Sequence, residues 1–167
     1  MPQIELQISD KGRESINLLR KQGFEIAERV TIEIPSLPAD ITEPGDEELM
    51  LLYSRFTQYY DLLCTQVACA QIDERDSEKQ ISMEESRLML ANPSTKAERV
   101  AILKAHVSAD PIIVNLSEKH TALYNYRKLI EMMASNAERD TQLISRELTR
   151  RTAGANHYQS RRRTWET

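Results

Sequence analysis

The hydrophobic positions change period along the chain, and the changes mark its organisation. Ile4, Leu6 and Ile8 alternate with polar residues, as do Val30, Ile32 and Ile34, which is the two-residue period of a half-buried strand. Between them Ile16, Leu18 and Leu19 lie in a stretch that Asp10 can cap and Gly23 can end, which predicts a short helix. Residues 1–38 therefore form a strand, helix, strand extension. It is too small to bury a core alone and is expected to pack on the rest of the chain or on a neighbouring subunit. Pro35-Ser-Leu-Pro38 and Pro44-Gly45 predict an extended linker, assigned to 39–45, because each proline disfavours helix at the residue before it.

Past the linker the period becomes helical. Asp46-Glu47-Glu48 puts acids where they suit the positive end of a helix dipole, and Leu49, Leu52, Phe56, Tyr59, Leu63, Val67 and Ala70 follow in steps of three and four. The seam fades at Asp73-Glu-Arg-Asp76, leaving a polar arm to about Leu90, where Asn92-Pro93 breaks the helix. Thr95 to Glu98 has capping-box spacing and opens a short helix containing Val100, Ile102 and Leu103.

Asp110-Pro111 opens the third helix, uninterrupted to about Arg151, or ~60 Å. Leu116, Leu123, Ile130, Ala137 and Ile144 repeat along it every seven residues, with Ile113 and Leu148 between. A helix longer than a domain of this size cannot bury that seam wholly against its own chain, so these five residues are expected to join copies into a homo-oligomer. A plain helical hairpin in a monomer is the other outcome. Gly154-Ala-Asn156 should break the helix, giving a basic tail over 152–167. The expected fold class is mainly α: a long-helix hairpin or bundle with heptad seams over 46–151, preceded by the small N-terminal extension.

Composition supports this choice. With aromatics at 5%, four glycines and six prolines in 167 residues, an all-β sandwich and a glycine-loop nucleotide fold are both poor fits. No run approaches the ~20 apolar residues that cross a bilayer, and MPQIELQISDKG lacks the design of a secretory signal, so a cytoplasmic place without membrane contact is expected. Cys64 and Cys69 stand ~140° apart on a helix and cannot form a CxxC site, which leaves them as small apolar fillers. His106, His120 and His157 have no partners at metal-ligand spacing. GxGxxG, Walker A, GxSxG and HExxH signatures are all missing, so no enzyme, metal or cofactor is expected.

The net charge of -4 hides a gradient. Residues 43–85 carry 11 acids and 3 bases, whereas 145–167 carry 2 acids and 6 bases. Such a chain can bind an anion locally, or its copies can attract one another. In the tail, Arg161, Arg162 and Arg163 lie between Tyr158 and Trp165, a combination of phosphate-seeking charge and stacking faces. Contact with nucleic acid and docking on an acidic face such as 73–85 are both open to it.

Residues 49 to about 148 resemble the phage recombination mediator family typified by UvsY. The resemblance is carried by Leu51-Leu-Tyr-Ser-Arg55 opening the first long helix, by Val107-Ser-Ala-Asp110 between helices, and by the long closing helix through Leu123 and Leu129. Ile144-Ser-Arg-Glu-Leu-Thr-Arg-Arg151 and Pro35-Ser-Leu-Pro-Ala-Asp-Ile41 are similar to segments of small phage proteins with that assignment. The resemblance implies a non-enzymatic, ring-forming helical protein of the infected bacterial cytoplasm. It would bind single-stranded DNA, load a strand-exchange recombinase and displace a single-strand-binding protein.

Family members bind the strand through basic residues late in the first long helix. Lys79 falls near that place, but among the acids of Asp73-Glu-Arg-Asp-Ser-Glu78. The charge distribution moves the expected DNA contacts to Arg87, Lys96, Arg99 and Lys104, or to Arg150, Arg151 and Arg161–Arg163. The alternative expectation is a virion structural or DNA-packaging protein, similar to a small terminase, whose basic arm lines a DNA-filled shell. A third is a helical adaptor whose tail arginines pair with 73–85.

Overall fold

The computed structural model describes residues 3–24, 31–91 and 97–163, except the side chains of residues 31, 97–99 and 155–163. Its elements in chain order are β1 (Gln3–Glu5), α1 (Asp10–Lys21), β2 (Thr31–Glu33), α2 (Asp46–Ala91), α3 (Ala97–Ser108) and α4 (Pro111–Arg163). The fold is mainly α, with two long packed helices and a short two-stranded antiparallel sheet near the N-terminus. In the sheet Ile4 stands opposite Ile32, flanked by Gln3 opposite Glu33 and Glu5 opposite Thr31. Val30 lies outside the described residues.

Helix α1 is bounded by local chemistry. Its N-cap is Ser9 rather than Asp10: the Ser9 hydroxyl accepts from the Gly12 N–H at 3.0 Å, and Asp10 becomes a first-turn acid. At the other end Gly23 takes φ +93°, its N–H donates to the Arg20 carbonyl at 2.9 Å, and the Phe24 N–H donates to the Leu19 carbonyl at 3.1 Å, a Schellman stop. The helix buries Ile16, while Leu18 and Leu19 are exposed. Leu18 stands ~200° around the helix from Ile16, so the two cannot share a face.

The long helices begin where their caps place them. Helix α2 starts at Asp46 and ends at Ala91, and at the start of α4 the Asp110 carboxylate accepts from the Ile112 N–H at 2.8 Å. The capping residue expected for α3, Thr95, lies outside the described residues. Helix α4 corrects one expectation, because it continues through Gly154 to Arg163 instead of breaking there. A single interior glycine costs a helix only ~0.5–1 kcal/mol relative to alanine, too little to end one this long. No single described helix is long and apolar enough to cross a membrane. The bent pair Val100–Ser108 and Pro111–Gly154, 61° apart, passes only with both limbs taken together.

The chain divides into two compact units: Met1–Leu6, Glu28–Thr65 and Glu131–Thr167 form one, and Gln7–Ala27 and Gln66–Ile130 form the other. Residues 1–38 are thus shared between the units, and both long helices run through both. In the first unit Leu49 and Phe56 of α2 enclose Ile144 of α4, with Leu37, Ile41, Leu52, Tyr53 and Leu148 packed around them. Asp46 meets Arg151 in the same unit, so the two helices run antiparallel there.

In the second unit the N-terminal segment is fastened to α2. The Gln7 N–H donates to the buried Gln66 side chain at 2.8 Å, the Gln66 amide donates back to the Gln7 carbonyl at 3.0 Å, and the Ser9 hydroxyl donates to Asp73. Gly12 permits this approach: a β-carbon there would stand 3.1 Å from Ile8 and 3.7 Å from the Cys69 sulfur. Ser9 therefore caps one helix and ties it to another. Ser9→Ala is expected to lower stability by about 1 kcal/mol, seen as a lower urea midpoint at unchanged slope. An unaltered midpoint would show that this hydroxyl does not hold α1.

Candidate functional site

Three of the segments that carry the resemblance, Pro35–Ile41, Leu51–Arg55 and Ile144–Arg151, lie in the first unit, whereas Val107–Asp110 and the stretch through Leu123 and Leu129 lie in the second. Glu147 lies one helical turn after Ile144, on the inward face of α4, and is buried with 6% of its surface exposed. Arg150 donates to it twice at 2.7 Å, and Arg151 donates once at 2.7 Å. Arg151 also reaches the Pro44 carbonyl at 2.7 Å, the Thr42 carbonyl at 2.9 Å and the Asp46 carboxylate at 2.9 Å. A guanidinium has five donors in a planar fork, and here they pin residues 42–46 onto the end of the hairpin. The donors of Arg151, one of the expected DNA contacts, are used inside the chain. Arg150 shares Glu147 but keeps an exposed guanidinium.

Hydrogen bonds from Arg150 and then Arg151 pull the Glu147 carboxyl down to about 2 from 4.5. A carboxyl lowered on folding stabilises fully above its unfolded value, and the contribution is lost as pH falls from about 4.5 to about 2. Acid unfolding of Glu147→Gln is accordingly expected to be shallower across that window, with lower stability than wild type at pH 7. Parallel pH profiles of the two proteins would contradict the clasp.

Beside the clasp lies a surface cleft of about 330 Å³. Ser36, Leu37, Pro38 and Pro44 form one wall, and Glu48, Leu51, Leu52 and Arg55 of α2 form the other. Along the α2 wall the exposed acid Glu48 stands at one end and the exposed Arg55 at the other, and Glu43 and Glu47, close to Glu48 in sequence, are exposed as well. Leu51 stays 53% exposed although it lines the cleft.

The second unit holds the remaining described cations of the expected DNA contacts. Lys79 and Lys104 are exposed, and neither forms an ion pair among the described residues. Arg87 is exposed but holds Glu84 through its Nε at 3.0 and 3.1 Å, which raises its pKa. Of the acids around Lys79, Glu74 pairs with Arg127, Asp73 and Asp76 accept from the neutral Ser9 and Gln80 side chains, the latter at 2.6 Å, and Glu78 is exposed. Lys96 lies outside the described residues, as do the side chains of Arg99 and Arg161–Arg163. The sequence reading did not single out Tyr124, which is 42% exposed with Arg127 and Lys128 over its ring at 5.4 and 5.8 Å. Its signal is an aromatic followed by cations at i+3 and i+4.

The heptad seam of α4 is placed differently from its expected use. Ile130, Ala137 and Ile144 are buried within the chain, while Leu116 and Leu123 are half-buried. Three of the five residues expected to join copies are therefore buried inside the protomer, and Ile144 packs there against Leu49 and Phe56 of α2. Exposed apolar surface lies instead on other faces of α4, at Ile112, Val114 and Leu129 in the second unit and at Met132 and Leu143 in the first.

Cys69 is buried, and burial raises its thiol pKa, as suits an apolar filler; Cys64 is exposed. Among the described residues no group of three or more His, Cys, Asp and Glu side chains could hold a metal ion. No family model, curated protein or solved structure matches the chain.

Proposed function

We propose that this chain is a non-enzymatic mediator of phage recombination, a homo-oligomer that binds single-stranded DNA and assists the loading of a strand-exchange recombinase. The observation that carries the reading is the state of the acidic stretch around Lys79. Glu74 is paired with Arg127 within the second unit, so one of the acids crowding this lysine has its charge matched inside the chain. Lys79 and Lys104 remain exposed for a backbone, and the exposed ring of Tyr124 beside Lys128 supplies the aromatic and cation pairing that single strands use. Exposed apolar residues on α4 supply surface for further copies, and copies multiply a weak patch along one strand.

The test is fluorescence anisotropy of a labelled oligo-dT strand over a salt series, with light scattering for mass. Salt-sensitive, sequence-tolerant binding by an oligomer is expected. Equal affinity at low and high salt would overturn the reading. A well-formed oligomer that binds no strand at low salt would turn attention to the particle-assembly alternative, for which purified virions would be searched for the chain.

A further inference from the structure

We propose that the cleft beside α2 receives the Arg162-Arg163-Thr-Trp165-Glu166 segment of a second copy, so that the basic end of one protomer docks on the acidic rim of the next. This rests on the homo-oligomer part of the function proposed above. The argument is one of matched order. Along the cleft, the exposed acid Glu48 comes first, with exposed Glu47 next to it in sequence, then the apolar wall of Leu51 and Leu52, then the exposed Arg55. Along the segment, arginines come first, then the chain's single tryptophan, then an acid.

Distances match as well as signs. Glu48 to Arg55 covers ~10 Å of helix, and three extended residues from Arg163 to Glu166 also cover ~10 Å. A cleft of about 330 Å³ is at the small end for ligand pockets and suits one aromatic side chain. An indole there would lie against Leu51 and Leu52, with the Arg55 guanidinium placed for a cation–π contact or for pairing with Glu166.

The occupant is a second copy because the chain's own segment cannot reach. Arg151 is bonded to Asp46 at the start of α2, and α4 continues from Arg151 to Arg163, ~18 Å further. The helices are antiparallel in this unit, so that continuation leads away from Leu51. Two residues from Arg163 to Trp165 span at most ~7 Å and do not cover the return. Docking of this kind also gives the tail arginines a carboxylate partner and leaves the DNA contacts to the second unit's cations.

Because the chain has one tryptophan, its emission reports the site directly. The experiment follows Trp165 emission and mass by light scattering of the full chain over a dilution series, with circular dichroism as a check of folding. Wild type is expected to show blue-shifted emission in the oligomer that moves to that of a water-exposed indole on dilution. Leu51→Asp, at an exposed position, should abolish the blue shift and lower the mass at unchanged helix content. Glu47→Arg with Glu48→Arg should do the same, and adding Arg162→Glu with Arg163→Glu should restore both readouts. An oligomer whose Trp165 emission stays that of a water-exposed indole would overturn this inference alone, as would Leu51→Asp that keeps the blue shift. A monomer at every concentration would overturn the oligomer reading and this inference with it.

Discussion

Ile144→Ala is expected to destabilise the protein by about 2–5 kcal/mol, measured by urea denaturation. The side chain is fully buried between Leu49 and Phe56, with Leu148 on the next turn, and truncation removes buried methyl groups that neither α2 nor the 37–41 segment can easily replace. The neighbouring Leu143 is 44% exposed, and Leu143→Ala should change stability by no more than about 0.5 kcal/mol. The pair separates two uses of one helix. If the heptad seam joined copies, Ile144→Ala would lower the mass of the assembly while leaving the protomer's fold nearly intact. With Ile144 inside the protomer, the unfolding midpoint falls and the mass of the folded protein is retained.

The second large effect concerns the strand. Lys79→Glu combined with Lys104→Glu should weaken oligo-dT binding about tenfold or more at low salt and flatten the dependence of log K on log salt by about 1.4, the release expected for two lost phosphate contacts on a single strand. Both side chains are exposed, so the melting midpoint should scarcely move. Arg151→Ala provides the contrast. That side chain bonds Thr42, Pro44, Asp46 and Glu147, so its loss should lower stability and leave the salt slope as it was. A salt slope unchanged by the double lysine variant would remove the second unit as the DNA-binding surface.

The long helices were legible because their signals are local. Asp46-Glu-Glu and Asp110-Pro111 announce helix starts through capping and dipole chemistry, and α2 extends to Ala91, next to the break that the sequence predicts. The end of α4 is less legible, because Gly154 has the look of a stop although the helix on either side outweighs it. The role of Arg151 was hidden for another reason. Three of its bonds cross more than a hundred residues, and no periodicity within a helix encodes a contact with the linker. A signal did exist in its partner: Glu147 is three residues after Ile144, so a carboxylate stands on the inward face and requires a cation there. Gln66, three residues after Leu63, carries the same mark, and the structure gives it the Gln7 backbone. Seam residues were recognised as apolar, but period alone cannot say whether the covering helix belongs to the same chain or to another copy.

The division of residues 1–38 between the two units bears on how such a gene can be cut and exchanged. A recombinant chain that began at residue 39 would keep both long helices yet lose Leu37 from one core and the Gln7 and Ser9 fastenings from the other. The N-terminal extension is therefore not a module that can be swapped between proteins at the proline-rich boundary. A hybrid joined there inherits two incomplete interiors, and only an N-terminal segment matched to both would be accepted.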